Sequence, residues 1–376
     1  MKSKSVCIVY NTMWYINNFR KNLILQLIKN GYTVSAVAPY DGYEKKLQEI
    51  GVTTYNILMQ GNSANPLKDM ILFIKLFLRL KNLKPGCVLN YTIKPNIYGS
   101  IVCTLLGIPY INNITGLGAV FLNNGILTQI VYLLYRIAFA RSSMVFFQNE
   151  TDREQLLKRR LVNKQHTHRL PGSGVSLEQF SPAHKITGSP FTFLLFTRIL
   201  WEKGIKEYYE ASRMIKPDYP KTVFQLIGPI DPNNPACIPA AIIQEWNNSG
   251  FISYLGPTDN IREFIAEADC IVLPSYYREG VPRSMLESAA MAKPIITTDW
   301  PGCRDAVDDG ITGFLCEVRS AEDLADKMKK ILLMTSEQRR TMGLKGRKKM
   351  EKEYDEKIVI DAYINIINKI FYHKKH

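Results

Sequence analysis

The sequence predicts an α/β protein built from two doubly wound parallel sheets. Short, continuous apolar runs alternate with longer segments of helical periodicity, a pattern that favours parallel strands covered on both faces. The second half of the chain repeats the plan of the first, and 376 residues suffice for two domains. We therefore expect two Rossmann-like domains that face a cleft.

The predicted elements alternate along the whole chain. In the first half, strands are predicted at 5–10, 32–38, 53–58, 87–92, 108–114 and 143–148, and helices at 17–30, 66–83, 96–106 and 126–141. In the second half, strands are predicted at 191–199, 222–228, 251–255, 270–274 and 294–298, and helices at 204–216, 236–248, 259–267, 283–292 and 321–333. A helix-rich segment over 337–372 follows.

A turn-rich junction separates the two halves. Residues 171–174 are Pro-Gly-Ser-Gly, and residues 180–182 are Phe-Ser-Pro. We expect a first domain over 1–180 and a second domain over 181–355. The final segment, 356–376, is expected to form a separate C-terminal helix.

Positive charge is concentrated in the first half. The chain has 48 Lys and Arg against 34 Asp and Glu, a net charge of +14. Residues 1–180 hold 21 basic and 8 acidic residues, a net +13, whereas the remainder holds 27 and 26, a net +1. This asymmetry indicates a polyanionic partner of the first half, either a nucleic acid or an anionic membrane surface. A basic face that serves only solubility is the alternative.

Composition excludes several classes of protein. Hydrophobic residues make up 46% of the chain and charged residues 22%, which is typical of globular domains and not of disordered chains. The apolar run at 6–10 is too short for a signal peptide, and no uncharged apolar stretch is long enough to predict a membrane span. The seven cysteines are scattered and form no CxxC pair, which favours buried thiols in the cytoplasm.

The segment after the strand at 270–274 is suited to a phosphate flanked by sugars. Proline at 282 suits the first turn of a helix, so the N–H groups of Val281, Arg283 and Ser284, next to Gly280, are available to an anion. Glu279 and Glu287 are eight residues apart and can reach different ends of one bound molecule. Carboxylates accept hydrogen bonds from sugar hydroxyls, so the pattern indicates a nucleotide sugar.

A second segment supplies positive charge. Arg198 follows a predicted strand, and Lys203 precedes Gly204 and a predicted helix. Ligands of doubly wound domains bind at such strand ends. A guanidinium and an ammonium could together bind a diphosphate and stabilise a departing nucleoside diphosphate. Either residue alone would more often be a solvated surface charge.

These segments together resemble the retaining glycosyltransferases of family 4, which have the two-domain GT-B fold. The resemblance covers nearly the whole chain and is strongest over 190–318. It rests on Glu-x7-Glu at 279–287, on Arg-x4-Lys-Gly at 198–204, and on segments 171–175, 180–182, 299–305 and 309–313. Residues 92–96 (Thr-Ile-Lys-Pro-Asn) and 114–118 (Ile-Thr-Gly-Leu-Gly) are similar to the subgroup that extends lipid-linked oligosaccharides, O-antigen or capsule repeats.

The resemblance implies a fold and a set of roles. In GT-B enzymes the C-terminal helix crosses back to the first domain. Glu279 would contact the donor sugar near the reacting carbon, and Glu287 would hold the ribose hydroxyls. Arg198 and Lys203 would bind the diphosphate. The reaction would retain the anomeric configuration by front-face displacement, in which the leaving phosphate helps to deprotonate the acceptor.

The first domain is expected to bind the acceptor. The loop after the first strand, 11–20, lacks the glycines that many family members have, so a phosphate approaches its backbone less easily. Arg20 is a candidate for the acceptor diphosphate, and Gly116 and Gly118 either line the cleft or form an ordinary turn. The complete set of acceptor candidates is Asn18, Arg20, Lys94, Thr115, Gly116 and Gly118.

We expect no metal and no other cofactor. The sequence contains no HExxH motif, no Cys/His cluster and no DxD at a loop end. The five histidines all lie after residue 165, so the cleft histidine that many relatives carry in the first domain has no counterpart.

Two predicted helices are candidates for contact with a membrane. In the helix at 66–83, Lys68, Lys75 and Arg79 share one stripe amid large apolar residues. The segment 126–141 carries Arg136 and Arg141 in a similar setting. Such helices can lie on an anionic bilayer, although their apolar residues can also cover the sheet.

The sequence therefore predicts a metal-independent retaining hexosyltransferase, peripheral on the inner face of the plasma membrane. It would move a hexose or N-acetylhexosamine from a UDP-sugar to a polyprenyl-diphosphate-linked saccharide. Alternatives are a nucleotide-sugar epimerase or a glycogen-type polymerase of the same fold, and a non-catalytic nucleic-acid-binding protein. The first hypothesis is preferred because the basic residues follow amphipathic helices and are not interleaved with base-stacking aromatics.

Overall fold

The computed structural model describes residues 4–59, 65–117, 125–183, 189–278 and 280–372. The chain forms two compact units, one of Met1–Ser173 with Lys357–His376 and one of Gly174–Glu356. The first unit therefore ends before the expected boundary at 180. Val175 and Phe180 belong to the second unit because both are buried in its core, and Val175 forms a β-bridge with Asp355.

The first unit contains a seven-stranded parallel sheet in the order β3-β2-β1-β4-β5-β6-β7. Its strands are β1 (Ser5–Val9), β2 (Thr33–Ala38), β3 (Thr53–Asn56), β4 (Cys87–Tyr91), β5 (Tyr110–Ile114), β6 (Met144–Phe147) and β7 (Thr167–Arg169). The order reverses between β1 and β4, so the carboxyl ends of these two strands form the switch point at which such sheets bind ligands.

Helices cover both faces of this sheet. They are α1 (Met13–Lys29), α2 (Glu44–Glu49), α3 (Pro66–Leu83), α4 (Ser100–Leu106), α5 (Ile126–Phe139), α6 (Glu150–Lys158) and, from the end of the chain, α13 (Glu356–Tyr372); a π-helical turn, Pro95–Gly99, precedes α4. Ile8 of β1 packs in the core with α1, α2 and α13. The neighbouring Val9 packs on the opposite face in the core with α3 and α4.

The C-terminal helix α13 completes the core of the first unit. Val359, Tyr363 and Ile367 are buried against the sheet, and Tyr363 Oη accepts a hydrogen bond of 2.8 Å from Asn113 Nδ2 at the end of β5. Tyr32 Oη donates to Asn368 Oδ1 at 2.7 Å. The predicted return of the last helix to the first domain is thus confirmed.

The second unit contains a six-stranded parallel sheet in the order β10-β9-β8-β11-β12-β13. Its strands are β8 (Thr192–Phe196), β9 (Val223–Ile227), β10 (Ser253–Tyr254), β11 (Cys270–Leu273), β12 (Ile295–Thr298) and β13 (Gly313–Cys316). Its helices are α7 (Ile205–Ile215), α8 (Ala240–Asn248), α9 (Ile261–Glu267), α10 (Arg283–Ala290), α11 (Ala321–Leu333) and α12 (Ser336–Lys349). Its switch point lies between β8 and β11.

Three short elements are absent from the predicted set: α2, α6 and β13. The two helices bury little surface: Leu47 is the buried residue of α2, and α6 buries Asp152 and Leu156. β13 begins at Gly313, where a Cβ atom would lie 2.0 Å from the Ile295 carbonyl oxygen, so close pairing with β12 requires glycine at that position. Such short segments carry a weak periodic signal.

The cysteines lie mainly in the interior of the protein. Six of the seven are buried, and Cys237 is half-buried. Within the residues that the structure describes, no helix combines the length and hydropathy needed to cross a bilayer.

Candidate active site

The connection from β8 to α7 carries the two predicted diphosphate ligands. After β8 ends at Phe196, Arg198 is exposed, and a short 3-10 helix, Trp201–Lys203, leads to Gly204. Gly204 has φ +74°, and a Cβ atom there would lie 2.1 Å from the carbonyl oxygen of Pro274. Glycine is therefore required for the connection to lie against the chain that leaves β11.

Backbone hydrogen bonds tie this connection to the one that follows β11. The Glu202 carbonyl oxygen accepts from the Tyr276 N–H at 2.9 Å and from the buried Ser275 hydroxyl at 3.3 Å. The Tyr277 N–H in turn donates to Ser275 Oγ at 3.2 Å. Residues from both sides of the switch point are thereby held in one cluster.

Both cations lie close to the ring of Tyr277. Lys203 Nζ lies 5.2 Å from the ring centroid, and Arg198 Cζ lies 5.7 Å from it. Lys203 is only 4% exposed, so its ammonium is held in a poorly hydrated position. The structure thus brings together Arg198 and Lys203, as the sequence predicts, at the carboxyl edge of the sheet where ligands bind in this architecture.

The start of α10 is the segment that the sequence predicts to bind an anion. Pro282 is the N-cap residue with an extended ψ of 126°, and Val281 is 7% exposed because it packs in the core with Met285. Gly280 is buried and Ser284 is half-buried. The N–H groups of the first turn have no intrahelical partner by virtue of their position, and the helix dipole adds partial positive charge.

Arg283 and Glu287 form an ion pair along this helix. Arg283 Nε donates to Glu287 Oε1 at 2.6 Å, and the two side chains are 15% and 12% exposed. Burial raises the pKa of Glu287, and the neighbouring Arg283 partly opposes that shift. Arg283 was predicted as a main-chain donor to the ligand, and its side chain has the further role of fixing the orientation of the Glu287 carboxylate.

Glu279, the first carboxylate of the Glu-x7-Glu motif, lies outside the described residues, and so does Gly118. The structure places two other buried carboxylates beside this site, which sequence reasoning missed. The Oε2 atoms of Glu202 and Glu207 are buried and lack a hydrogen-bond partner among the described residues. Desolvation raises the pKa of Glu207. Glu202 lies inside the Arg-x4-Lys motif, and this position is the feature of the sequence that could have identified it as a site residue.

Arg319 was also missed by sequence reasoning. Its guanidinium lies 4.5 Å from the ring centroid of Tyr276, the residue next to Tyr277. Arg319 follows β13 in a left-handed conformation, with φ +60°. No local pattern predicts this position, because it depends on a strand that the sequence did not reveal.

In the first unit, Arg20 occupies the switch point between β1 and β4. Its side chain is on the buried face of α1 and is 2% exposed. The guanidinium lies 4.6 Å from the ring centroid of Tyr91, the last residue of β4, and 6.0 Å from that of Tyr363. Among the described residues, no carboxylate forms an ion pair with Arg20, and its Nε has no hydrogen-bond partner.

The segment 11–20, expected to be a loop, is mostly helical, because α1 begins at Met13. Polar atoms of this segment lie in the same part of the unit as Arg20. The Oδ1 atoms of Asn11 and Asn17 are buried and lack hydrogen-bond partners within the described ranges. Both flank the start of α1, where Thr12 caps the helix by accepting from the Tyr15 N–H at 3.0 Å. Asn18 differs, since its Nδ2 donates to the Trp14 carbonyl oxygen at 2.9 Å. Asn11 and Asn17 were not predicted, because nothing in the sequence distinguishes them from solvated loop residues.

The remaining acceptor candidates lie at the ends of β4 and β5. Lys94 Nζ forms an ion pair of 2.6 Å with Asp69 of α3, and the Tyr98 hydroxyl donates to the other Asp69 oxygen at 3.0 Å. Thr115 and Gly116 are half-buried, and Gly116 has φ +128°. Of these candidates, Lys94 therefore has a structural partner on its own unit.

The strand end next to Arg20 is strained. Thr92, directly after Tyr91, has φ +64°, a conformation that is costly for a β-branched residue. A π-helical turn follows at Pro95–Gly99. Both features concentrate at functional sites, and here they coincide with the switch point.

No cluster of three or more His, Cys, Asp or Glu side chains suited to a metal ion occurs in the described part of the chain.

Comparisons with known proteins agree with this architecture. The family described as "Glycosyl transferase 4-like" matches residues 5–149, and the family "Glycosyl transferases group 1" matches residues 177–349. The first match contains six of the seven strands of the first sheet, and the second match contains all six strands of the second sheet.

Relatives and solved structures extend the likeness to nearly the full length. The chain is 29% identical to the N,N'-diacetylbacillosaminyl-diphospho-undecaprenol alpha-1,3-N-acetylgalactosaminyltransferase of Campylobacter jejuni, over 94% of this chain and 96% of that protein. It is 26% identical to the UDP-Gal:alpha-D-GlcNAc-diphosphoundecaprenol alpha-1,3-galactosyltransferase of Escherichia coli, over 70% of this chain and 71% of that protein. The sucrose-phosphate synthase structure from Thermosynechococcus elongatus has a TM-score of 0.80 at 17% identity, covering 98% and 99% of the two chains.

Three observations support one assignment. They are the two Rossmann-like sheets, the cationic cluster at the switch point of the second unit, and the matches to both families. The chain belongs to the family 4 glycosyltransferases of the GT-B fold.

Proposed function

We propose that the enzyme transfers a hexose or N-acetylhexosamine, with retention of configuration and without a metal ion, from a UDP-sugar to a polyprenyl-diphosphate-linked saccharide. The observation that carries the proposal is the convergence of Lys203 and Arg198 on Tyr277 at the switch point of the second unit. The names of the Campylobacter and Escherichia relatives both specify a diphospho-undecaprenol acceptor, and the latter specifies UDP-galactose as donor.

The second unit would bind the donor. Arg198 and Lys203 would neutralise the charge that develops on the departing diphosphate, and Lys203 would do so with little reorganisation because it is already buried. The first-turn N–H groups of α10, from Arg283 and Ser284, would add further donors. The Glu287 carboxylate, oriented by Arg283, would accept hydrogen bonds from the ribose hydroxyls.

The transfer step balances without an added acid or base. The acceptor hydroxyl oxygen attacks the anomeric carbon on the face that the diphosphate leaves, and the bond from that carbon to the phosphate oxygen breaks. The acceptor proton passes to the leaving phosphate oxygen. Glu279 would contact the donor sugar near the reacting carbon, an assignment that rests on its place in the Glu-x7-Glu motif.

The first unit would bind the acceptor. A buried guanidinium that lacks a carboxylate partner among the described residues favours the binding of an external anion, and the acceptor carries a diphosphate. Arg20 is therefore assigned to that diphosphate. Asn18, Lys94, Thr115, Gly116 and Gly118 remain candidates for the saccharide, and the ion pair with Asp69 makes Lys94 the least suited to bind a second anion.

A transfer assay tests the proposal. A panel of UDP- and GDP-linked sugars is offered together with a polyprenyl-diphosphate saccharide, in the presence and absence of EDTA, and the anomeric configuration of the product is determined by NMR. We expect transfer from at least one UDP-sugar, unchanged by EDTA, with an α-linked product from an α-linked donor. Transfer from none of the donors refutes the proposed function, loss of activity in EDTA refutes metal independence, and an inverted product refutes retention.

A further inference from the structure

Helix α3 exposes an apolar stripe on the side away from the sheet. Leu67, Ile71, Ile74 and Leu78 are spaced by four, three and four residues, which places them on one face of the helix. Their exposed fractions are 77%, 53%, 49% and 54%. The core-facing positions of the same helix are different residues, the buried Leu72, Leu76 and Leu80. The exposed stripe is thus a second apolar face, which is not used to cover the sheet.

Helix α5 repeats this arrangement on the same face of the sheet. Ile130, Leu133 and Ile137 share one helical face and are 49%, 59% and 52% exposed. The cores beneath α3 and α5 contain Tyr110 and Ile114 of β5, respectively. Those residues have the same parity on their strand, so α3 and α5 lie on the same side.

Helix α4 packs against both of these helices. Its Leu105 is 63% exposed. We refer to the exposed side chains of α3, α4 and α5 as the α3–α5 face. Scattered exposed apolar residues are common on soluble proteins. With Met70 of α3, which is 59% exposed, nine large ones lie on these three adjacent helices and exceed that pattern.

The charge around this face has one sign. Between Glu49 and Glu150 the sequence contains eight Lys and Arg but only one acidic residue, Asp69. Asp69 is itself in an ion pair with Lys94. Lys75 and Lys81 of α3 and Arg136 of α5 are exposed beside the apolar stripes. Long basic side chains can keep their charge in water while their stems cover apolar surface, as at a lipid interface.

We propose that the α3–α5 face lies on an anionic phospholipid bilayer, with its apolar stripes at the boundary between headgroups and acyl chains. The positive rim complements anionic headgroups, whereas pairing of this face with a second copy of the chain would bring like charges together. The inference rests on the proposed function and deepens it, because an enzyme on the bilayer meets a polyprenyl-linked acceptor in two dimensions.

Vesicle flotation tests the inference with the full-length protein. The vesicles consist of phosphatidylcholine alone or of phosphatidylcholine mixed with a minor fraction of phosphatidylglycerol, and the variant is the double substitution Ile71→Glu with Ile74→Glu. We expect the unaltered protein to float with the anionic vesicles, and the variant to lose at least tenfold in partition coefficient. The matched control is Leu333→Glu with Ile311→Glu, two residues of the second unit that are 74% and 51% exposed, and it should float like the unaltered protein.

Circular dichroism and thermal unfolding verify that the variants are folded, and Leu133→Ser provides an independent change on α5. Equal flotation of the face variants and the unaltered protein overturns the inference. So does a dimer, detected by sedimentation, that the face variants convert to a monomer while flotation is unchanged.

Activity assays separate failure of this inference from failure of the proposed function. With a short-chain, water-soluble diphosphate acceptor, the face variants should retain the transfer rate of the unaltered protein. With a long-chain acceptor in anionic vesicles, their rate should fall about tenfold. If the unaltered protein floats but transfers to neither acceptor, the proposed function is wrong while the bilayer face stands.

Discussion

The six strands of the second unit follow the same order as the first six strands of the first unit, but the two units differ in how they place a cation at the switch point. In the second unit, Lys203 and Arg198 lie in the loop between the first strand and helix, and Gly204 makes room for that loop. In the first unit, the equivalent loop has no glycine, and Arg20 reaches the switch point from inside α1. One topology can therefore present positive charge either from a loop or from a helix, and the difference is consistent with two different anionic ligands.

The units also differ in overall charge. The first unit has 25 Lys and Arg against 8 Asp and Glu, a net +17, whereas the second has 23 against 26, a net −3. The imbalance is thus sharper than the division at residue 180 indicates, because the segment Lys357–His376 adds four basic residues and one acidic residue to the first unit. Long-range attraction of anions belongs to the first unit, while the second binds its anion through local contacts.

The largest expected effect concerns the loop-borne cation. Lys203→Ala should lower kcat/KM by about 10²–10³-fold, because it removes a fixed positive charge from a poorly hydrated site next to the leaving group. Steady-state kinetics with the preferred donor measures the change. Lys206→Ala, three residues along the chain and exposed, should leave kcat/KM within twofold of the unaltered enzyme. Similar losses in both variants would show that positive charge anywhere around the start of α7 matters, and would contradict the site assignment.

The requirement for glycine at position 204 can be tested by measuring the stability of the protein. Gly204→Ala should lower the free energy of unfolding by about 3 kcal/mol, since it combines a left-handed backbone with a contact against the Pro274 carbonyl. Gly250 has a similar φ of +76° but open space around its Cβ position, so Gly250→Ala should cost only about 1 kcal/mol. Thermal and urea unfolding measure both. Equal costs would mean that the close approach to Pro274 contributes nothing.

Replacing Arg20, the cation carried by α1, should weaken acceptor binding without lowering the stability of the fold. Arg20→Met removes a buried charge that has no carboxylate partner among the described residues, so Tm should stay the same or rise. The KM for the acceptor should rise about 10-fold or more while the KM for the donor is unchanged. The exposed Lys21 on the same helix supplies the control, Lys21→Met, which should alter neither constant. A fall in Tm with unchanged acceptor KM would assign Arg20 a structural role only.

The smallest effect is a pH dependence in the second unit. Burial raises the pKa of Glu207, so its charged form is disfavoured in the folded state. The stability of the unaltered protein should therefore fall as pH rises from the ordinary carboxyl pKa through the raised value. Glu207→Gln should remove that loss, so the substitution should stabilise the protein more at pH 7.5 than at pH 4.5.

The exposed Glu245 on α8 provides the matched variant, Glu245→Gln. Thermal unfolding at several pH values compares the two. A pH-independent difference between Glu207→Gln and the unaltered protein would show that the pKa of the Glu207 carboxyl is the same in the folded and the unfolded state.

Much of the architecture follows from local pattern. Buried parallel strands are continuous apolar runs, so every predicted strand overlaps an observed one, and α3 and α11 match their predicted bounds. α2 and α6 escape prediction because each buries only one or two side chains. β13 is not predicted because its first residue is glycine, which is required there by close contact with the neighbouring strand β12.

The candidate site likewise contains residues that local pattern predicts and residues that it does not. Arg198, Lys203 and Glu287 could be predicted because the spacing of a motif fixes their place relative to a strand and a helix. The position of Tyr277 beside two cations could not be predicted, and neither could the setting of the Arg20 guanidinium, which lies against aromatic rings and has no carboxylate partner among the described residues. Both depend on side chains distant in sequence. Tyr363, which contacts Arg20, belongs to the last helix of the chain, whereas Arg20 belongs to the first.

The path of the chain has a consequence for biosynthesis. The second unit is a continuous segment, whereas the first needs Val359, Tyr363 and Ile367 of α13 to fill its core. During translation, the part made first must therefore wait for the segment Lys357–His376, while the part made second can fold as soon as it emerges. The unit whose synthesis starts earlier is the one that finishes folding later, and until then its sheet exposes the apolar surface that α13 will cover.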